Sequence, residues 1–181
     1  FRTIFNIIGP LCNPCTNIAA QVIGISDPNF FELVSNAMIN STIKKIFLIH
    51  SLDGMDELSN TSRNIMFIVK SGKVEKHEVD PELLDLKIVG KDQVQIKSAE
   101  DSVKTTLQTI YGKSTPAKQD IVALNAAVAL IAGEKTTDLN DGIKIARELV
   151  KSEVPRNKLR ELISSYGNIQ KLDLVEKKFS L

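Results

Sequence analysis

Gln21-Val22-Ile23-Gly24-Ile25-Ser26-Asp27-Pro28, followed by Phe30, Leu33, Val34, Ala37 and Met38 and then by Ile43, Ile46, Phe47, Leu48 and Ile49, is the stretch that decides the fold. The first run is short and apolar and stops at Ser26-Asp27-Pro28, so it reads as a buried strand. Asp27 or Ser26 can cap a helix, and Pro28 suits its first turn. The next apolar residues are spaced three and four apart, which predicts a helix over about 28–40. Residues 43–49 then form a second buried strand. Strand, helix and strand at this spacing make a βαβ unit, which implies parallel pairing and a right-handed crossover.

Outward from that unit the pattern changes twice. Upstream, residues 3–8 are rich in strand formers and stop at Gly9-Pro10, and residues 9–19 read as a loop. Downstream, residues 50–60 are a polar loop, and Asn64 to Val69 and Val74 to Val79 are two strands around Ser71-Gly72, a hairpin. An antiparallel hairpin beside a parallel unit predicts a mixed sheet. Pro81 to Asp85 suggests a short helical turn, and Gln93 to Ile96 a further strand. From Ser98 onward the periodicity is helical. One helix opens at Ser98 and closes at Gly112, and the next opens at Thr115-Pro116. Residues 121–131 are apolar nearly all round, as in a helix buried between layers. Two further helices run over 138–150 and 155–166, the last closed by Gly167. The expected class is α/β: a mixed, largely parallel sheet flanked by helices, with a helical C-terminal part, within one partial domain over 1–181.

Composition excludes several functions. The 23 basic and 22 acidic residues are interleaved, for a net charge of +1. A nucleic-acid binder carries a basic stripe, and only Lys44-Lys45 and Lys177-Lys178 are adjacent basic pairs, so no nucleic-acid partner is expected. No apolar run approaches the roughly 20 residues of a bilayer span, and there is no signal-peptide pattern, so the expected location is the cytoplasm. Cys12 and Cys15 form a C-x-x-C with no second pair for a zinc site, and they read as reduced loop cysteines. The nine glycines are never adjacent or separated by a single residue, so no glycine-rich phosphate cradle can be written.

The feature with most chemistry is Asp53-Gly54-Met55-Asp56-Glu57. It follows the strand 43–49, at the sheet edge where ligands of open α/β folds bind. Three carboxylates around a glycine turn suit a hard cation held through oxygen, although on spacing alone an acidic surface turn capping a helix is the favoured reading. Arg2, ahead of the strand 3–8, can grip a carboxylate in two-pronged fashion.

Taken together these segments resemble a known family. Arg2-Thr3-Ile4-Phe5-Asn6-Ile7-Ile8-Gly9-Pro10-Leu11-Cys12-Asn13-Pro14 is similar to the R-T-I-F-N-x-x-G-P-L-x-N-P signature of the anthranilate phosphoribosyltransferases. Gln21 to Ile25 resembles their Q-V-x-G-V, and Asp53 to Glu57 their D-G-x-D-E. Ser98-Ala99-Glu100-Asp101-Ser102 and Leu124-Asn125-Ala126-Ala127 resemble later family segments. The resemblance implies the large domain of the nucleoside phosphorylase/phosphoribosyltransferase fold. It also implies transfer of the phosphoribosyl group of phosphoribosyl pyrophosphate to anthranilate, with release of pyrophosphate, in tryptophan biosynthesis. By position, Arg2 falls on the arginine that contacts the anthranilate carboxylate, and Asp56 and Glu57 fall on the pair that holds Mg2+. Asn6, Gly9 and Pro10 fall on the loop that shapes the acceptor's passage. The family's glycine-rich diphosphate loop, its basic phosphate contacts and its helical homodimerisation region would lie upstream of Phe1, so this polypeptide alone is expected to be inactive. Pyrimidine nucleoside phosphorylases, and a non-catalytic nucleic-acid-binding homologue, are alternatives on the same fold.

Overall fold

The computed structural model describes residues 9, 11–15 and 17–181. The strand expected over 3–8 lies outside these residues. The four described strands are β1 (Ala20–Gly24), β2 (Lys45–Ser51), β3 (Asn64–Lys70) and β4 (Lys73–Val79), arranged in that order in one sheet. β1 and β2 run parallel, with Gly24 beside Ile49, whereas β2–β3 and β3–β4 are antiparallel. The sheet is mixed as expected, and among the described residues its parallel pairing is confined to β1 and β2.

Alternation along β2 explains the layers. Ile46 and Leu48 point to one face, where Phe31, Val34 and Met38 of helix α1 (Phe31–Met38) cover them. Phe47 and Ile49 point to the other, against Ala123, Leu124, Ala127 and Val128 of helix α3 (Pro116–Ala132). A strand buried on both faces carries a continuous apolar run rather than an alternating one, and β2 is buried from Ile46 to Ser51. The result is a sheet with helices on both faces.

Local signals set the element ends. Asp27 accepts a hydrogen bond from the Asn29 N–H at 3.0 Å, and Pro28–Phe30 form a 3-10 turn that leads into α1. The β3–β4 hairpin turns through Ser71 (φ 52°) and Gly72 (φ 73°), both in the left-handed region that a two-residue hairpin of the right twist demands. Ser98 accepts from the Asp101 N–H at 3.1 Å and starts α2 (Ala99–Ile110). Asp138 accepts from the Asp141 N–H at 3.0 Å and starts α4 (Leu139–Lys151). α3 begins with Pro116 directly after Thr115, where a missing N–H costs nothing.

Three expectations change. Gln93 to Ile96 is not a strand: Lys91–Gln93 form a 3-10 turn, closed by the Gln93 and Val94 N–H groups on the Gly90 and Lys91 carbonyls. α3 is not buried all round, since Val122 is 43% exposed. The sheet and α4 cover two sides of α3 and leave the third to solvent. After α5 (Val154–Tyr166) a further helix, α6 (Ile169–Phe179), is present, capped by Asn168 through the Lys171 N–H at 3.1 Å.

The helical part is fastened in two ways. Gly142 of α4 sits so close to α3 that an added Cβ would lie 2.7 Å from the Ala127 Cβ, and Arg147 reaches Asp120 at 2.6 Å. α5 and α6 are joined to the end of α2 through Glu176. It accepts from Arg160 at 2.7 Å and from the Tyr111 hydroxyl, while Arg156 lies 4.8 Å over the Tyr111 ring. No described helix is long and apolar enough to cross a membrane.

Candidate functional site

The C-terminal ends of β1 and β2 lie side by side, and the chain leaves β2 at Ser51 into the acidic loop before returning at Asn64. The loop begins with a tight turn. The Gly54 N–H donates to the Ser51 carbonyl and the Ser51 N–H to the Met55 carbonyl, each at 2.9 Å. Gly54 has φ +98°, a conformation that glycine alone adopts without strain.

Asp53 organises this turn rather than facing solvent. Its carboxylate accepts from the Thr61 hydroxyl and from the Met55 N–H at 3.3 Å, and the Lys91 ammonium donates to its backbone carbonyl at 2.8 Å. Burial pulls the Asp53 carboxyl upward, but the Thr61 hydroxyl, the Met55 N–H and the Lys91 charge outweigh it and hold the group below the usual carboxylate range.

Asp56 and Glu57 behave differently. Both are exposed, and neither side chain makes a hydrogen bond or ion pair to any described residue. Their backbone is nonetheless fixed. A Cβ at Gly24 would run into the Asp56 carbonyl oxygen, so the end of β1 lies directly beneath it. Leu58, which follows Glu57, is fully buried. Its N–H donates to the Asn125 carbonyl oxygen at 3.0 Å, and its carbonyl accepts from the Asn125 amide at 2.7 Å.

The rest of the loop is held by two more asparagines. Asn64 accepts from the Ser59 N–H at 2.7 Å and donates to the carbonyls of Ser59, Ser62 and Val79. Asn60 donates to the Ala117 carbonyl at 3.0 Å, at the start of α3. Buried polar groups cost free energy unless they are paired, and here side-chain amides bonded to the backbone take the place of regular structure, although the Asn60 Oδ1 is buried without a hydrogen-bond partner among the described residues.

Two exposed carboxylates without described partners, on a loop fixed before and after them, fit a divalent cation that takes one or two protein oxygens and completes its shell with water and phosphate. Among the described residues no group of three or more His, Cys, Asp or Glu could hold a metal, so an all-protein cage is not what this loop offers. His50 is buried, and its Nδ1 pairs with the Ile25 carbonyl at 2.7 Å. Cys12 and Cys15 are exposed, free thiols.

Sequence reasoning placed Asp56 and Glu57 together on this loop and the structure brings them there. Arg2, Asn6 and Pro10 lie outside the described residues, and Gly9 is exposed and described. The clasp residues Asn60, Asn64 and Asn125 were not foreseen as part of the site. The one signal that touched them was the Leu124-Asn125-Ala126-Ala127 segment.

Comparison with known proteins bears on the whole arrangement. Residues 1–153 match the glycosyl transferase family, a/b domain. An anthranilate phosphoribosyltransferase from Petrotoga mobilis is 36% identical over 162 residues, which cover 90% of this chain and 46% of that enzyme. The chain therefore spans about half the length of the curated relatives it matches. The anthranilate phosphoribosyltransferase of Thermus thermophilus superimposes with a TM-score of 0.76 at 26% identity, covering 91% of this chain and 48% of that one. The Saccharomyces cerevisiae enzyme in complex with PRPP and Mg shares the fold at a TM-score of 0.77 and 18% identity, covering 91% and 46%. The same enzyme with 4-fluoroanthranilate gives 0.80 at 19%, covering 91% and 48%.

Proposed function

Because the chain belongs to the glycosyl transferase family through its a/b domain, we propose that it is part of an enzyme that transfers a phosphoribosyl group from phosphoribosyl pyrophosphate to anthranilate. The products are N-(5-phosphoribosyl)anthranilate and pyrophosphate, and the pathway is tryptophan biosynthesis. The observation that carries this is the exposed Asp56–Glu57 pair, fixed at the C-terminal end of the parallel strands in a chain 36% identical to such an enzyme. The remaining expectations join the same proposal: one partial domain over 1–181, a homodimer for the whole enzyme, and a cytoplasmic location.

Asp56 and Glu57 would hold Mg2+. The bound ion would supply Lewis-acid neutralisation of the charge that builds on departing pyrophosphate. The chain's own work is positional. The turn built on Gly54 and Asp53 and the Leu58 clasp keep both carboxylates facing outward, where a phosphate-bearing substrate can share the ion. Arg2 would grip the anthranilate carboxylate through two parallel N–H donors and so hold the amine toward the anomeric carbon. As pyrophosphate leaves, that carbon becomes cationic, and the C–O bond breaks as the amine nitrogen forms its bond. The amine then loses its proton. Attack on a near-cationic carbon asks little of a general base.

The test is the loss of anthranilate fluorescence in the presence of phosphoribosyl pyrophosphate and Mg2+, using the intact protein. Consumption of anthranilate that depends on both supports the proposal, and its absence sinks it. Arg2→Ala is expected to raise the KM for anthranilate well above that for phosphoribosyl pyrophosphate. The 181-residue polypeptide by itself is expected to show no turnover.

A further inference from the structure

We infer that Asn125 is a positioning residue that sets where Asp56 and Glu57 point, so that helix α3 controls the acidic pair through one side-chain amide. The inference rests on the proposal that this pair holds Mg2+.

Three features make the case. First, the contact is two-sided. The Asn125 carbonyl oxygen accepts from the Leu58 N–H at 3.0 Å. The Asn125 NH2 donates to the Leu58 carbonyl at 2.7 Å and to the Ile121 carbonyl of its own helix at 2.9 Å. A primary amide has two N–H donors and an oxygen with two lone pairs; both donors are used and the oxygen accepts one bond. Second, the geometry is specific to asparagine. Aspartate supplies no donor for the two carbonyls, and a leucine of similar shape leaves the N–H and C=O of a fully buried residue unpaired. Third, the mounting is rigid. Ala123 and Leu124 on one side and Ala127 and Val128 on the other are completely buried in the core shared with β2. The residue directly after Glu57 is thus tied to a helix seated in the core, although Asn125 itself makes no described hydrogen bond with either carboxylate. Groups that orient metal ligands from behind in this way typically change metal affinity by about 10–100-fold when removed.

The experiment compares Asn125→Ala with Asn125→Ser, Arg147→Met and Asp56→Asn in the intact protein. Asn125→Ser is the second choice should the alanine variant not fold. Two quantities are measured: Mn2+ binding by the protein without pyrophosphate, read from the free-ion EPR signal, and the Mg2+ concentration for half-maximal activity. The Asn125 variants are expected to weaken Mn2+ binding and raise the half-maximal Mg2+ by about tenfold, while kcat at saturating Mg2+ falls by less than about threefold. Arg147→Met breaks the Asp120 pair on the same helix and is expected to lower the melting temperature without moving the metal dependence. Folded Asn125 variants with a metal dependence within twofold of the parent overturn the inference. So does an equal shift in Arg147→Met, which would make the effect general loosening of α3. Unchanged Mn2+ binding in Asp56→Asn sinks the metal assignment itself. A clear Asp56→Asn effect with none at Asn125 sinks only the positioning role.

Discussion

The acidic loop between β2 and β3 and the α5–α6 hairpin are both held by polar groups, but by different kinds. In the loop, neutral amides and one carboxylate grip backbone N–H and C=O groups: Asn64 on residues 59, 62 and 79, Asn60 on 117, Asn125 on 58. In the hairpin, side chain meets side chain, as Arg160 spans Asp173 and Glu176 at 2.7 Å each and Tyr111 donates to Glu176. Backbone-directed amides fix the path of the chain residue by residue and do not titrate. Ion pairs fix the relation of one helix to another and respond to pH and salt. A loop that must present charges outward has reason to be held mainly by neutral groups, with Asp53 and Lys91 the charged exceptions at its first turn.

Replacing both free carboxylates breaks the comparison most sharply. On the proposed function, Asp56→Asn with Glu57→Gln is expected to cost about 100-fold or more in phosphoribosyl transfer by the intact protein. Thermal unfolding followed by circular dichroism should barely move, as for other exposed side chains without partners. A large fall in melting temperature would show that the pair is structural.

Next comes Glu176→Gln in the hairpin. Its side chain is 10% exposed and faces two arginines, so loss of its charge is expected to cost about 2–3 kcal/mol, with the figure held down because both arginines remain about one-third exposed. Asp173→Asn, whose partner pair is far more exposed, should cost less than about 1 kcal/mol. Urea unfolding decides both. Equal costs would mean that burial does not rank these pairs.

Gly24→Ala sharpens the loop side. The new methyl meets the Asp56 carbonyl, and overpacking of this kind costs about 1–3 kcal/mol. The same urea series reads it, and Mg2+ dependence should move with it because the backbone that must shift belongs to Asp56. Stability lost without any change in Mg2+ dependence would mean that the asparagines alone hold the loop.

The smallest effect is a pH response confined to the hairpin. Burial, and then the Glu176 carboxylate, push the Tyr111 hydroxyl up to about 12. The folded state therefore holds this proton more tightly than the unfolded chain, whose tyrosines ionise near about 10. The stabilisation is complete below the unfolded value and is lost as pH climbs through the window up to about 12. Stability measured across that window should fall more steeply in the parent than in Tyr111→Phe. Parallel curves would remove Tyr111 from the account.

The sequence made the frame legible. Short apolar runs, three-and-four spacing and capping place β1, α1 and β2, and Ser71-Gly72 dictates the hairpin, because these features depend on neighbours along the chain. The failures have physical causes. Val94 and Ile96 alternate like a strand, but the Gly90 and Lys91 carbonyls are taken locally by the 3-10 turn. α6 was hidden because a glutamate stands in its apolar stripe: Leu172 and Glu176 are the buried residues, and only Tyr111 and two arginines from elsewhere make Glu176 acceptable there. At the site, the acidic turn could be read from five consecutive residues. The Asn125 clasp could not, since residues 58 and 125 meet only in three dimensions and nothing about an asparagine on a helix announces that its partner is a distant backbone.

The sheet's outer strand carries one more consequence. β4 is exposed from Lys73 to Glu78, with lysine and glutamate mixed along it. Such an edge repels a strand arriving from another molecule, because docking would strand charges against a foreign backbone. β1 (Ala20, Gln21, Val22, Ile23, Gly24) has no charged residue at all. Among the described residues the uncharged flank of the sheet is therefore β1, the strand whose last residue supports the acidic turn from below.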